Sequence, residues 1–224
     1  RPAYAGTASG TGEWNDVGIR AKRVDTIVGA LDVRCGDSGG DYKTALRYIS
    51  FLAANGGALG LFTAITRMRA VHERISTPLD EARLPLFAQH IDAMDTGTLV
   101  DIFRSEENAC LLGTDAVRDG VDVPGRSLRL IVFDRIPWPR PDILHRARRK
   151  AFGGRAYDEM LTRIKLKQAY GRLVRRRDDR GVFVMLDRAL PTRLTSTLPE
   201  GVRIQRIGLA EAIAETASFL NTED

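Results

Sequence analysis

The residues best suited to chemistry lie in one basic stretch, KLKQAYGRLVRRRDDRG from Lys165 to Gly181, which precedes the apolar run Val182–Leu186. At 100° per residue, a helix here would align an amide, a bare backbone position and two guanidiniums on one stripe, namely Gln168, Gly171, Arg172 and Arg175. The roughly opposite stripe is apolar and would dock the helix on a sheet; it contains Leu166, Ala169, Tyr170 and Leu173. Because arginine forks match phosphate geometry, the polar stripe favours a ligand with several anionic oxygens. A basic face that is merely solvated is the alternative.

A second polar stretch, GTDAVRDGVDVPG from Gly113 to Gly125, follows the apolar run ACLL. We interpret it as a loop that begins with the hydroxyl of Thr114 and places Asp119 and Asp122 on either side of Gly120. Glycines allow backbone to approach a ligand closely, and loop amides can bind phosphate. An acid beside Gly120 can hold a ribose hydroxyl or orient an arginine. Loops of this kind are common in α/β domains, so this one is informative only together with the basic stretch.

Apolar runs of strand length alternate with amphipathic helices along the chain. The predicted strands are Ala58–Ile65, Leu84–Phe87, Cys110–Gly113, Leu128–Phe133 and Val182–Leu186. Four of the predicted helices are marked by particular residues: one capped by Thr66, one begun by Asp95, a basic one capped by Asp142, and a last one over Leu209–Leu220. The alternation predicts an α/β fold with a doubly wound, mainly parallel sheet, in which ligands lie beyond the carboxyl ends of the strands.

Residues 1–41 are the least informative part of the sequence. They begin with a segment rich in glycine, serine and threonine and end in CGDSGGD, so we interpret them as a connector from a missing upstream region, and residues 42–224 as the domain. Arg1 stands where an initiator methionine would, so we expect the chain to be a piece of a longer protein.

Composition favours an anionic partner. The chain carries 34 Lys and Arg against 29 Asp and Glu, and its pI is about 9.5. Nucleic acid fits this balance better than a membrane, because no apolar run approaches the roughly 20 residues of a spanning helix, and we expect a cytoplasmic protein. Cys35 and Cys110 lack metal-ligand spacing, so the sequence predicts reduced thiols and no metal site in this chain.

The two polar stretches, in this order and followed by VFVMLD, resemble motifs V and VI of superfamily 2 helicases, in particular the DinG/XPD group of iron–sulfur DNA helicases. Upstream, GGALGLFTAITRM is similar to motif IV of that family, and FDRIPWPRPD is similar to its Pro-rich stretch after motif V. The resemblance covers about Tyr42 to Leu194. It implies a RecA-like helicase C-terminal domain, which is a P-loop NTPase fold without its own P-loop.

The resemblance also implies roles for individual residues. Gln168, Gly171, Arg172 and Arg175 match the QxxGRxxR of motif VI, whose arginines reach the ATP phosphates as catalytic fingers. Gly120 and Asp122, with Asp119 beside them, match the nucleotide-facing core of motif V. The nucleic acid would be contacted by Thr63, Arg67, Thr114 and Arg118. The family has aromatic residues and Glu before the motif V glycine, where this chain has Val117, Arg118 and Asp119, so the role of Asp119 stays open.

The phosphate-binding motif G-x-x-x-x-G-K-[ST] does not occur in the sequence. We therefore expect ATP and Mg to be held mainly by the missing first motor domain of the same polypeptide, and the fragment alone to hydrolyse no ATP. An iron–sulfur cluster, which needs four cysteines, could lie in that domain but not in this chain. Single-stranded DNA is the expected partner, and Trp138 could stack one of its bases or pack over the domain edge. The alternatives are a nucleic-acid-binding helicase-like module without ATPase activity, or an RNA helicase.

Overall fold

The computed structural model describes residues 24–27, 54–120, 122–123, 125–173, 180–187, 189–199 and 202–221. Its strands are β1 Val24–Ile27, β2 Ala58–Leu61, β3 Leu86–Ala88, β4 Cys110–Gly113, β5 Leu130–Phe133, β6 Gly181–Met185 and β7 Arg203–Gln205. Its helices are α1 Ile65–Glu81, α2 Thr96–Ser105, α3 Asp115–Gly120, α4 Ile143–Ala151, α5 Arg155–Leu173, α6 Thr192–Thr195 and α7 Leu209–Asn221, with a 3-10 turn at Gly125–Ser127.

The strands form one sheet in the order β3-β4-β2-β5-β6-β1-β7, and every neighbouring pair is parallel. Strand β2 lies between β4 and β5, so Leu61 is level with both Gly113 and Phe133. All carboxyl ends of the strands therefore meet at one edge. The predicted α/β fold with a parallel sheet is confirmed.

Helices cover both faces of this sheet because the strand side chains alternate. Leu59, Leu111, Ile131 and Phe183 point into a core that includes the buried residues of α2 and α5. Their neighbours Ala58, Cys110, Leu130 and Val182 point into a second core beneath α1 and α7. In parallel sheets such continuous apolar strands are covered on both sides, as the doubly wound prediction requires.

Helix α5 is the element that carries the basic stretch. It begins at Arg155, well before Lys165, and its buried residues include the apolar stripe predicted from the sequence: Leu166, Ala169, Tyr170 and Leu173. Gln168 and Gly171 are exposed on the other side, and Arg172 is half-buried. Arg175 lies outside the described residues.

Two local predictions around β2 were wrong. The strand ends at Leu61 and not at Ile65, because the backbone N–H of Thr63 donates to the Asp134 carboxylate (2.9 Å) and not to a neighbouring strand. Helix α1 then begins at Ile65 with Ala64 at the N-cap position and no side-chain cap, so Thr66 lies inside the first turn and caps nothing. Asp95 and Asp142, by contrast, accept backbone N–H groups as the predicted caps of α2 and α4.

The segment predicted as a loop after β4 is partly helical. Residues Asp115–Gly120 form α3, in which the N–H groups of Val117 and Arg118 donate to the carbonyl of Thr114 (3.1 and 3.2 Å). The turn closes tightly because Gly113 has no side chain: a Cβ there would lie 2.4 Å from a methyl of Val117. Gly113, one of the glycines expected to let the backbone approach a ligand, thus allows α3 to pack closely against the end of β4.

Four residues of the segment interpreted as a connector belong to the sheet. Strand β1 pairs in parallel with β6, with Val24 level with Gly181, and also with β7. Residues 28–53 lie outside the described part, so the boundary between 1–41 and 42–224 stays a prediction.

Candidate functional site

The carboxyl edge of the sheet brings together polar residues that are far apart in the sequence. Thr63, Thr114, Asp134 and Asp187 follow β2, β4, β5 and β6. Asp187 serves the fold there, because its carboxylate accepts the N–H groups of Ile136 (3.1 Å) and Ala189 (2.9 Å). The other three lie where ligands bind in open parallel sheets.

Asp134 organises the end of β2. It is 1% exposed and accepts the N–H of Thr63 at 2.9 Å and the Nε of Arg67 at 2.7 Å. A guanidinium nitrogen of Arg67 also donates to the hydroxyl of Thr63. Burial raises the pKa of Asp134, and Arg67 and Thr63 oppose that rise. The two predicted nucleic-acid residues Thr63 and Arg67 are thus held by one buried carboxylate, while Arg67 keeps 30% of its side chain exposed.

Thr114 is held by Gln89, which follows the neighbouring strand β3. Its N–H and its hydroxyl both donate to Oε1 of Gln89, at 2.9 and 2.8 Å, and Gln89 is buried. The Gln89 amide nitrogen donates in turn to the hydroxyl of Thr96 at 3.1 Å. Because Gln89 takes the hydroxyl proton, the remaining lone pairs of Thr114 are left to accept a bond from a ligand.

Arg118 lies in an ion-pair network on α3. Its guanidinium is buried and donates to Asp115 (2.7 Å) and Asp119 (2.9 Å). Lys165 of α5 donates to the second oxygen of Asp115 at 2.8 Å. The guanidinium that the sequence assigned to nucleic acid is thus paired within α3, and Asp115 links it to Lys165 of α5.

The basic stretch and the stretch after β4 meet directly. A guanidinium nitrogen of Arg172 donates to the backbone carbonyl of Asp119 at 3.1 Å. Gly120, the next residue, is exposed, and a Cβ there would meet no heavy atom within 4 Å. Asp122 is exposed too, and its carbonyl accepts the Nε of Arg104 at 3.0 Å.

A cleft of about 320 Å³ opens at the same edge. Thr63 and Thr114 lie in its wall, and the other lining residues are Phe62, Asp115, Pro137, Trp138, Arg140 and Lys165. It therefore adjoins both predicted hydroxyl positions and the α3–α5 network. Gln168, Gly171 and Arg172 lie further along α5.

Three residues of this edge escaped the sequence-based site list. Asp134 carries a usable signal, since it follows the apolar strand LRLIVF, but a strand end does not reveal that its carboxylate holds Thr63 and Arg67. Lys165 stands in the basic stretch, one turn before Gln168. Gln89 has no sequence signal, because nothing near it marks an amide that crosses to Thr114.

The described residues contain neither a membrane-spanning helix nor a cluster of metal ligands. None of the helices in these ranges combines the length and the apolar character that a membrane span requires. Within the same ranges, no three His, Cys, Asp or Glu side chains are grouped to hold a metal ion.

Comparisons with known proteins agree with the fold. The family model for the helicase C-terminal domain matches residues 48–204. The ATP-dependent helicase DinG of Mycobacterium tuberculosis is 40% identical over 151 residues, which are 62% of this chain and 21% of that protein. The ATP-dependent DNA helicase YoaA of Escherichia coli K12 is 35% identical over 170 residues, 70% of this chain and 26% of that protein.

A solved structure of S. tokodaii Xpd4 has the same fold. It matches with a TM-score of 0.57 at 16% identity, over 83% of this chain and 38% of that one. The RecA-like helicase domain predicted from the sequence is confirmed. The chain spans about a fifth to a quarter of the length of the two curated relatives. It belongs to the helicase C-terminal domain family, and its sequence is similar to those of the DinG and YoaA helicases.

Proposed function

We propose that this chain is the C-terminal motor domain of an ATP-dependent DNA helicase, and that it supplies motifs IV, V and VI to that enzyme. The observation that supports this most is the contact between Arg172 and the carbonyl of Asp119. It joins the motif VI-like helix to the motif V-like segment, so that Gln168, Gly171 and Arg172 share one side with Gly120. That side is open to a second domain, since Gln168, Gly171 and Gly120 are exposed.

In this proposal ATP and Mg are held mainly by a first motor domain, because the sequence has no phosphate-binding lysine motif. Arg172 and Arg175 act as arginine fingers that stabilise charge on the transferring γ-phosphoryl group, and Gln168 adds an amide. Asp119, Asp122 and Gly120 lie against the nucleotide. The fragment alone then hydrolyses no ATP, and any iron–sulfur cluster belongs to the other part of the protein.

Nucleic acid would follow the carboxyl edge of the sheet. Asp134 and Gln89 place Thr63 and Thr114 at this edge, and each hydroxyl would contact the backbone of single-stranded DNA by turning its proton from that acceptor to a phosphate oxygen. Arg67 adds a partly exposed charge beside Thr63. Closure of the two motor domains on ATP and reopening after hydrolysis would move the strand past these residues.

The experiment is DNA-stimulated ATPase of the complete protein with Arg172→Ala and Arg175→Ala. Each variant should lower kcat by about 10³-fold or more, because an arginine finger acts in the transition state. Arg163→Ala is the matched control: it lies on the same helix but on the opposite face from Arg172, and its guanidinium donates to the Ser196 hydroxyl at 2.8 Å. Unchanged turnover in both finger variants would defeat the proposal.

Two other results would select the alternatives. Tight binding of single strands without any ATPase in the complete protein would identify a nucleic-acid-binding module. Stronger stimulation by RNA than by DNA of the same sequence and length would identify an RNA motor, since a backbone grip does not by itself distinguish the two polymers.

A further inference from the structure

Trp138 occupies an unusual position for a large aromatic residue. It is 38% exposed and lines the cleft of about 320 Å³ beside Thr63 and Thr114. A single exposed aromatic residue on an outer surface needs no explanation, but Trp138 lies beside the two threonines that follow the carboxyl ends of β2 and β4.

The loop around Trp138 holds the backbone of this residue in place. Ile136 is buried in the core, and its N–H donates to Asp187 at 3.1 Å. The backbone N–H of Trp138 then donates to the backbone carbonyl of Ile136 at 2.8 Å. Pro137 and Pro139 restrict the backbone on both sides. A backbone fixed in this way loses little conformational freedom when a flat ligand stacks on the ring.

The surroundings of the indole match a nucleotide unit. Arg140 and Lys165 line the same cleft, and Arg140 also donates to the carbonyl of Thr63 at 3.4 Å. Arg140, and Lys165 beside its partner Asp115, suit phosphate oxygens, whereas the indole suits the face of a base. The cleft, of about 320 Å³, is at the small end of the roughly 300–1,000 Å³ of ligand pockets, which is room for one base.

We propose that Trp138 is a base-stacking residue, and that this cleft takes one unstacked base of single-stranded nucleic acid while Arg140 and Lys165 contact the adjoining backbone. The inference rests on the proposed function for the presence of a single strand, and adds to it a subsite and the residue that defines it. Stacking tolerates any base, because every base has a π-face. The subsite therefore grips the strand without reading its sequence.

The test is fluorescence-anisotropy titration of the complete protein with a labelled oligothymidine and with a strand of equal length whose bases are replaced by abasic sites. Trp138→Ala should weaken binding of the base-containing strand by about 5- to 150-fold. The same variant should change binding of the abasic strand by less than about twofold, since no phosphate contact is lost. Trp138→Phe keeps a ring and should recover most of the affinity.

An equal loss on both strands would overturn the inference, because it would show that Trp138 only supports the loop. Unchanged binding of the oligothymidine by Trp138→Ala would overturn it too. The finger variants separate this inference from the proposed function. Base-dependent loss in Trp138→Ala together with normal ATPase in Arg172→Ala and Arg175→Ala would sustain the stacking subsite and reject the motor assignment.

Discussion

Gly171→Ala separates what the fold needs from what a ligand needs. Gly171 lies on the exposed side of α5, and a Cβ there would meet no heavy atom within 4 Å. Alanine is more favourable than glycine inside a helix by about 0.8–1 kcal/mol. Since Gly171 lies in the last turn of the described helix, we expect a gain of about 0.5–1 kcal/mol in the free energy of unfolding. For a domain of this size that raises Tm by about 1–4 °C.

The same methyl group should harm catalysis. Gly171 lies between Gln168 and Arg172 on the proposed ligand stripe, so an added side chain displaces whatever approaches that stripe. A misplacement of about 1 Å can cost about 10²-fold in rate, and we expect DNA-stimulated ATPase of the complete protein to fall by roughly 10- to 100-fold. Thermal unfolding and steady-state ATPase on one preparation measure both effects.

Gly181→Ala is the contrasting variant. Its Cβ would lie 2.5 Å from the Cγ of Leu173, so it should lower the free energy of unfolding by about 1–3 kcal/mol. The reasoning about Gly171 is refuted in either of two ways. A lower Tm for Gly171→Ala would show that the fold requires the glycine, and a higher Tm with unchanged kcat and KM would show that nothing approaches it.

Further predictions concern three buried groups. Asp134→Ala should lower the free energy of unfolding by about 2–4 kcal/mol, measured by denaturant titration, because Thr63 and Arg67 both lose their acceptor. Burial raises the pKa of Asp134, so protonation of this carboxyl favours the folded state. The free energy of unfolding of the wild type, relative to that of Asp134→Asn, should therefore decrease as the pH rises from the ordinary pKa of 3.8 through the raised pKa. The opposite trend would mean that the pairing with Arg67 outweighs burial. Arg118→Ala should lower Tm, because the ion pairs of this buried guanidinium with Asp115 and Asp119 are lost. It should leave the salt dependence of single-strand binding unchanged, whereas loss of a phosphate contact would reduce the slope of log K against log salt concentration by about 0.7. Burial raises the pKa of Cys110 to about 12, so its thiol should react with an aromatic disulfide reagent only after unfolding; rapid reaction in the native protein would contradict the described burial.

Local periodicity was enough to predict the elements that carry most of the site. The apolar stripe of α5 recurs at helical spacing, and its four residues are buried as that spacing requires. Strand Cys110–Gly113 has the predicted bounds, because a short apolar run between polar segments leaves few alternatives. In both cases the information lies within a few residues of the element.

Strand β1 could not be predicted in the same way. The apolar run that begins at Val24 fits a helix or a strand, and what fixes it as a strand is its pairing with β6, whose sequence lies near the other end of the chain. The helix after β4 was missed for a related reason. Glycines and aspartates indicated an open loop, but the approach of Val117 to Gly113 allows a helical turn.

The site is formed by residues that are distant in the sequence and meet only in the folded chain, which no spacing reveals. Thr63, Arg67 and Thr114 were chosen by resemblance, and the sequence could not indicate that Asp134 and Gln89 orient their hydroxyls and charge. The same is true of Arg118. Its position beside a motif suggested a phosphate contact, and no spacing indicated that its guanidinium pairs with two carboxylates of its own helix.

In the proposed function, the guanidinium forks of Arg172 and Arg175 complete an ATP site formed with another domain. The most direct measurement is DNA-saturated kcat of the complete protein in which Arg172 and Arg175 are replaced by lysine, which keeps the charge and removes the planar fork. We expect kcat to fall by about 10²-fold or more while the affinity for single-stranded DNA stays within about twofold. Full turnover by the double lysine variant would contradict it.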